Sequence, residues 1–330
     1  MELSKGMIRR WLYYELKYHI RVRLDKIKKG PIPITDYLGR KILTLKDTND
    51  LLYKKISEGN PFWAGRMGGS EMSTIAYYMR NQLFPFRTDA RKDVLHDLCL
   101  LSGFFPEDMK YGERFVDLLL NCVKDIDLIG AWNRYMEEWM LAEYAPESTI
   151  SYLTYLEPWK VAELSERVIP WTSALAGKKV LVIHPFTSSI ENQFMNNRTK
   201  IFKDLPLENV LPDFELKTLK AVQTLGNTSA KFSDWFEALD YMITGCSKIE
   251  FDVAIIGCGA YGFPLAAEIK RMGKIAIHMG GATQLLFGIR GKRWDDWVGV
   301  YKKMVNEYWV RPSEEEKISE GYKIENNCYW

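Results

Sequence analysis

Short apolar runs alternate with amphipathic stretches along most of the chain, and the joins between them carry glycine, serine or asparagine. Residues 251–256 (FDVAII) are β-favouring and apolar, and they pass into Gly257-Cys258-Gly259-Ala260-Tyr261-Gly262, a G-x-G-x-x-G. Pro264 stands early in a helical stretch that reaches about Met272 and is stopped by Gly273. A further strand begins at residues 274–278, and Gly280-Gly281 opens onto a helical turn at 282–287. The same unit recurs upstream. Residues 61–66 (PFWAGR) predict a strand, Gly68-Gly69-Ser70 a turn, and Glu71 the start of a helix to about Asn81. Residues 125–132 (DIDLIGAW) predict another strand, with Asn133 as the cap of the helix RYMEEWMLAEY. Residues 178–184 form a third apolar strand, after which Ser188 and Glu191 stand at capping-box spacing. Residues 214–222 predict a strand, and Ser233-Asp234 the start of a helix to about Thr244.

Strand, polar or glycine loop, helix: this repeated order predicts an α/β fold, a mostly parallel Rossmann-like sheet flanked by helices. In such sheets ligands bind beyond the carboxyl ends of the strands, near a switch in strand order. The loops at 66–71, 132–133, 184–191, 257–262 and 278–284 are therefore expected along one edge. Residues 82–124 read as helical and irregular, an insertion beside that edge, and 312–330 as a charged, then polar tail that wraps back or frays.

Residues 6–29 have a helical pattern of their own. Ile8, Leu12, Leu16, Ile20 and Leu24 recur every fourth residue, with Ile27 after them, among many Lys and Arg. Such a helix either lies on an anionic membrane surface or packs its stripe on its own domain with a solvated basic face. Gly30-Pro31-Ile32-Pro33 ends it. The expected organisation is a basic amphipathic segment, 1–35, followed by one α/β domain, 36–330.

Charge sharpens that division. Residues 1–30 hold nine Lys/Arg against Glu2, Glu15 and Asp25, a net +6, whereas the whole chain is +2 and the remainder is therefore −4. So small a total argues against nucleic acid as a partner. At 47% apolar and 27% charged, the 330 residues suit a folded protein with a sizeable core. The five cysteines are scattered, with no C-x-x-C, which fits a reducing compartment and gives neither a disulfide framework nor a zinc site. No apolar run is long enough to span a bilayer, and charges interrupt any signal-peptide stretch. The expected location is cytoplasmic, with the inner face of the plasma membrane as the alternative if residues 6–29 lie on a membrane.

Glycine turns between a strand and a helix let backbone N–H groups approach an anion. The dinucleotide version of this motif adds an acidic residue about twenty positions on; here His278 and Met279 stand there. The alternative is a tight turn whose glycines serve packing. One helix N-terminus contributes about 0.3–1 kcal/mol to an anion, and micromolar affinity needs about 8 kcal/mol. Cations, a metal or contacts to a ring must supply the rest. Arg290, Lys292 and Arg293 follow the second turn. His184 and His278 end two strands, each a candidate base or phosphate donor, or simply a buried ring bonded to backbone. Ser188, Glu191, Asn192 and Gln193 form a polar helix start. Neither G-x-S-x-G nor a P-loop motif occurs.

Arg66-Met67-Gly68-Gly69-Ser70-Glu71 resembles the Arg-Tyr-Gly-Asp-Gly-Glu turn of the GT-D-fold glycosyltransferases of bacterial surface glycan and glycoprotein assembly. Arg66, Gly68 and Glu71 match; Gly69 stands where that family has the Asp of its Asp-x-Glu motif. Residues 252–281 look like the family's C-terminal strand, glycine turn, helix and strand, and like proteins of polysaccharide gene clusters carrying GCGAYGxPLA, GGATQLLFGI and GKRW. The likeness covers these two anchors and the general strand order. It implies transfer of a sugar from a nucleotide-sugar donor to a hydroxyl of a surface glycan or its lipid-linked precursor, with Mn2+ or Mg2+ as the implied ion. Glu71 would contact metal or donor sugar, and His184 or Glu191 would be the base. Arg66, Gly68, Gly69, Ser70, Ser188, Asn192, Gly257, Gly259, Gly262, His278, Gly280, Gly281, Gln284, Lys292 and Arg293 would hold the donor and its diphosphate. Two other readings stay open: a nicotinamide- or S-adenosylmethionine-dependent enzyme using the G-x-G-x-x-G, and a non-catalytic polysaccharide-assembly protein.

Overall fold

Seven strands form one parallel sheet in the order β5-β4-β3-β9-β8-β6-β7, with β3 at Phe62–Gly65, β4 at Leu128–Ala131, β5 at Thr149–Tyr152, β6 at Lys179–His184, β7 at Glu215–Lys220, β8 at Val253–Ile256 and β9 at Ile275–His278. A small antiparallel ribbon, β1 (Asp36–Tyr37) and β2 (Arg40–Lys41), stands apart. This computed structural model describes residues 5–28, 34–86, 93–225, 231–317 and Tyr329. The linker expected at Gly30-Pro31-Ile32-Pro33 lies outside them, as does most of the tail.

Strand residues are apolar on both faces because both are covered. Val253 and Ile255 enter one core and Ala254 and Ile256 the other; Val180 and Val182 alternate with Leu181 and Ile183 in the same way. The first core is closed by α3 (Gly69–Leu83), α5 (Met109–Val123), α8 (Trp235–Ser247) and α9 (Gly262–Arg271). The second is closed by α2 (Leu45–Glu58), α7 (Thr187–Asn197), α10 (Thr283–Leu286) and α11 (Val300–Met304).

Parallel crossovers are right-handed, so the direction of each step chooses the face its helix covers. The steps β3 to β4 and β8 to β9 run one way, and β6 to β7 runs the other. Neighbouring β8 and β6 therefore send α9 and α7 to opposite faces, and a crevice opens beyond their carboxyl ends. Strand β9 is followed by α10 on the second face while its neighbour β3 is followed by α3 on the first, which widens the same crevice.

Local differences from the sequence expectation have identifiable causes. Asn133 does not cap a helix: it has φ +59, Met136 has φ +63, and α6 starts only at Glu137 (Glu137–Tyr144). The buried Glu137 carboxylate organises this turn, accepting from the backbone N–H of Trp132 and Arg134 (3.1 Å each) and from Tyr37 Oη (2.9 Å). The capping box at Ser188 and Glu191 does not form either. Helix α7 begins two residues earlier, at Thr187, and a carboxylate from far along the chain, Glu316, accepts from Ser188 N (2.8 Å), Ser189 N (3.3 Å) and Ser189 Oγ (2.5 Å). Removing it with Glu316→Ala is expected to cost about 1–2 kcal/mol, as for other lost helix caps, read as a lower urea midpoint. Strand β5 was not expected, because its polar Thr149 and Ser151 break the apolar run on this edge strand. By contrast Asp234 caps α8 as its position predicts, accepting from Glu237 N at 2.9 Å.

Helix α1 (Lys5–Ile27) packs on α6 through Trp11, which is fully buried edge-on against Trp139. Of the two placements open to its apolar stripe, packing on the domain is met only by Ile8; Leu12, Leu16, Ile20, Leu24 and Ile27 are exposed.

Candidate functional site

A cavity of about 680 Å³ lies beyond the carboxyl ends of β3, β4, β6, β8 and β9. Each strand delivers one side chain or turn to it. Arg66 follows β3, Trp132 follows β4, His184 ends β6, Gly257 follows β8 and His278 ends β9.

The two glycine turns are pressed together. A Cβ on Gly257 would stand 2.6 Å from the carbonyl oxygen of Gly280 and 2.6 Å from Thr283 Cβ, so only glycine allows the turns to touch. Gly262 serves a different contact: its absent Cβ leaves room for the His278 ring, which would otherwise lie 2.1 Å away. The Arg66 guanidinium lies on Gly280, where a Cβ would meet its Nε and Nη2 at 2.9 Å. Arg66 makes no hydrogen bond or ion pair with any described residue; its unlinked charge partner across the site is Glu157. Arg134, at the rim, stacks its guanidinium 3.6 Å from the Trp132 ring and also has no carboxylate partner among the described residues. Arg293 donates to Tyr329 Oη at 3.2 Å.

Both histidines are neutral rings in opposite tautomers. The Phe186 N–H donates to His184 Nδ1 (3.0 Å), which puts the ring proton of His184 on Nε2. In His278, Nδ1 donates to the Ile256 carbonyl at 3.2 Å. Burial pushes both pKa values down to about 3, helped at His278 by the Arg66 charge. With its proton on Nε2, His184 is a hydrogen-bond donor toward the cavity and not a ready base.

Glu71 is buried at the third position of α3, folded back over Gly68, where a Cβ would stand 2.0 Å from Oε2. Ser70 Oγ donates to it at 3.1 Å, and the Ser70 and Ser102 hydroxyls are 2.5 Å apart. Burial raises its pKa. This is the geometry of a carboxylate completing its own helix N-terminus.

A second acid was not anticipated. Glu157, buried at 3% exposure, lines the cavity and accepts from Tyr301 Oη at 2.5 Å. Burial pushes its pKa up to about 7 against the opposing pull of Tyr301 and Arg66. The available signal in the sequence was an ionisable residue inside an apolar run, Leu156-Glu157-Pro158-Trp159. Gln284 is fully buried, spends its Nε2 on the carbonyls of Ile289 (3.2 Å) and Tyr329 (3.3 Å), and leaves Oε1 without a partner among the described residues. Trp294, Trp297 and Tyr329 supply aromatic wall.

The residues singled out from the sequence thus divide. Arg66, Gly68, Gly69, Ser70, Glu71, His184, Gly257, Gly259, His278, Gly280, Gly281, Gln284 and Arg293 all line the cavity. Ser188, Glu191, Asn192, Gly262 and Lys292 are not among its lining residues. Glu191 accepts from Thr218 on β7, Asn192 from Asn196 on its own helix, Ser188 gives its N–H to Glu316, Gly262 lies behind His278, and Lys292 is exposed. Reasoning from sequence missed Glu157, Ser102, Arg134, Tyr261, Trp297 and Tyr329.

The donor set does not fit a resident divalent cation. Glu71 is committed to its helix start and hydroxyls, Gly69 offers no carboxylate, and no three His, Cys, Asp or Glu among the described residues group to ligate one ion.

No protein-family model and no curated protein matches the chain. Two solved structures of the domain of unknown function 1792 are similar to it in arrangement, each over 84% of this chain and 92% of its own. One is a selenomethionine-substituted form, at 13% identity and a TM-score of 0.43. The other, at 14% identity and a TM-score of 0.40, is described as having a distinct glycosyltransferase fold.

Proposed function

We propose that the cavity binds a nucleotide-sugar and that the protein transfers the sugar to a hydroxyl of a glycan acceptor. The carrying observation is the Arg66 guanidinium, laid across the second glycine turn with no hydrogen-bond or ion-pair partner among the described residues. A guanidinium so placed is a diphosphate ligand, and its charge-assisted hydrogen bonds contribute about 1.5–3 kcal/mol each where water is excluded. Arg134 and Arg293 add charge at the rim. The Oε1 of Gln284, without a partner among the described residues, suits a donor such as a ribose hydroxyl or base N–H, and the indole walls suit a planar base. The resemblance of residues 66–71 and 252–281 to GT-D-fold glycosyltransferases points the same way, with a surface glycan or its lipid-linked precursor as acceptor.

In this reading the bond from the anomeric carbon to the diphosphate oxygen breaks, and its electron pair leaves on the diphosphate. The cations and the Nε2–H of His184 stabilise that charge. The acceptor oxygen forms the new bond to carbon, and Glu157 takes its proton. With a pKa near 7, Glu157 is matched to that exchange at neutral pH.

The test is titration with uridine, guanosine and cytidine diphosphate sugars, followed by calorimetry and thermal shift, with and without Mn2+. At least one donor is expected to bind, and Arg66→Met to weaken it by about 10- to 150-fold, the equivalent of one charge-assisted hydrogen bond. Absence of binding by every nucleoside diphosphate sugar would overturn the reading.

A further inference from the structure

Helix α1 carries apolar side chains on two faces, and only one has a partner. The inner face, Met7, Trp11, Tyr14 and Tyr18, sits on α6 and the turn before it: the Trp11 and Trp139 ring centroids are 4.7 Å apart and those of Tyr18 and Tyr135 5.2 Å. Ion pairs from Arg10 to Glu143 and from Lys17 to Glu138 clamp that side. At 3.6 residues per turn, Tyr13, Leu16, Ile20, Leu24 and Ile27 fall on the side opposite Trp11, with Leu12 on its flank. All six are exposed, from 43% at Leu24 to 74% at Ile27. Arg9 and Arg23 lie on the same side and are exposed. The two carboxylates of the helix lie off it, both half-buried, and Glu15 accepts from Tyr135 Oη at 2.6 Å. The outer face is thus apolar, mostly aliphatic with Tyr13 among it, and cationic, with no acid.

We propose that the outer face of α1 is a docking surface for an anionic lipid bilayer. Its composition matches the headgroup boundary, where aliphatic side chains enter the acyl region and arginines meet lipid phosphates. A second copy of this chain is a poor occupant, because Arg9 and Arg23 would face their own counterparts with no carboxylate on the face to pair them. Spanning is not an option, since no helix among the described residues is long and apolar enough to cross a membrane. The rigid attachment to α6 keeps the face turned outward, so no refolding is needed to present it. The helix also abuts the segment from Asn133 to Met136, next to the Arg134 rim of the cavity. Under the glycosyltransferase reading, docking holds that rim near a lipid-anchored acceptor, but the docking itself does not rest on that reading.

The full-length protein should co-sediment with phosphatidylcholine vesicles containing phosphatidylglycerol, and much less with phosphatidylcholine alone. Binding should fall with added salt. Arg9→Gln and Arg23→Gln should each weaken it about fivefold, the effect of one cation at such a surface, and the pair Leu16→Glu with Ile20→Glu should abolish it. All four positions are exposed, so circular dichroism and melting temperature should not move. Wild-type protein that stays in the supernatant with anionic vesicles would overturn the proposal, as would Leu16→Glu with Ile20→Glu protein that still pellets. So would a wild-type dimer in light scattering that the same pair makes monomeric, since a second copy would then own the face. Nucleotide-sugar binding is measured separately and decides the cavity reading alone.

Discussion

Glu157→Gln is expected to lower turnover by about 10²- to 10⁴-fold, the usual contribution of a positioned general base, while donor affinity stays close to wild type. The same substitution should stabilise the protein at alkaline pH. Burial holds the folded-state pKa of Glu157 near 7, against an ordinary 4.5. Below 4.5 both folded and unfolded chains keep the proton, and the residue adds no pH dependence. Between 4.5 and 7 the folded chain binds a proton that the unfolded chain has released, so stability drains as pH rises through that window. Above 7 the ionised carboxylate is left buried at a cost approaching about 3 kcal/mol, at 1.36 kcal/mol per pH unit. Glutamine keeps the acceptor for Tyr301 and carries no charge, so the variant should gain on wild type across the window and level off above it. Urea melts from pH 4 to 9 read this directly. Wild-type turnover in the variant would move the base elsewhere, and a stability difference that is flat with pH would mean that the carboxyl titrates normally. His184 and His278 act in the opposite sense: with folded pKa values near 3 they lose stability as pH falls below 6.5, which is why the variant-minus-wild-type difference is the quantity to measure.

Gly257→Ala should be the most damaging small substitution at the site. The added methyl would sit 2.6 Å from the Gly280 carbonyl and 2.6 Å from Thr283 Cβ. Neither can swing away, because Thr283 Oγ1 is bonded to the Ile256 carbonyl at 2.9 Å and Gly280 is backbone in the neighbouring turn. Overpacking of this kind costs about 3 kcal/mol or more when the obstacle is backbone. Relief requires the two turns to separate, which lifts Gly280 away from the Arg66 guanidinium. Thermal melts and nucleotide binding should therefore fall together. A variant with wild-type melting temperature and wild-type affinity would show that the turns are not in contact.

The contrast between these residues explains how much could be read in advance. Gly257 stands in a local pattern, a strand run followed by glycine spacing, and its place at the sheet edge followed from that pattern. Arg66, His184, His278 and Gln284 were found the same way, from their places at strand ends or in the turns that follow them. Glu157 lies in a 3-10 segment (Pro158–Glu163 and the residue before it) with no period to announce it, and only the packing of that segment against Tyr301 brings it to the cavity. Ser188 and Glu191 mislead for the converse reason. Their spacing matches a local motif, but a distant carboxylate, Glu316, reaches the helix N-terminus and takes the donors that the motif would have used.

The parallel sheet, the strand-end loops and the basic N-terminal helix follow from periodicity and turn chemistry, which act over a few residues. Tertiary structure alone decided which loop residues share a cavity, which proton each histidine keeps and which acid is buried. It also chose between the two faces of α1: from Leu12 onward the every-fourth-residue stripe faces water, and Met7, Trp11, Tyr14 and Tyr18 face α6. A helix with two apolar faces has no local preference for burying either, and the partner that the rest of the fold offers, Trp139 in α6, makes the choice.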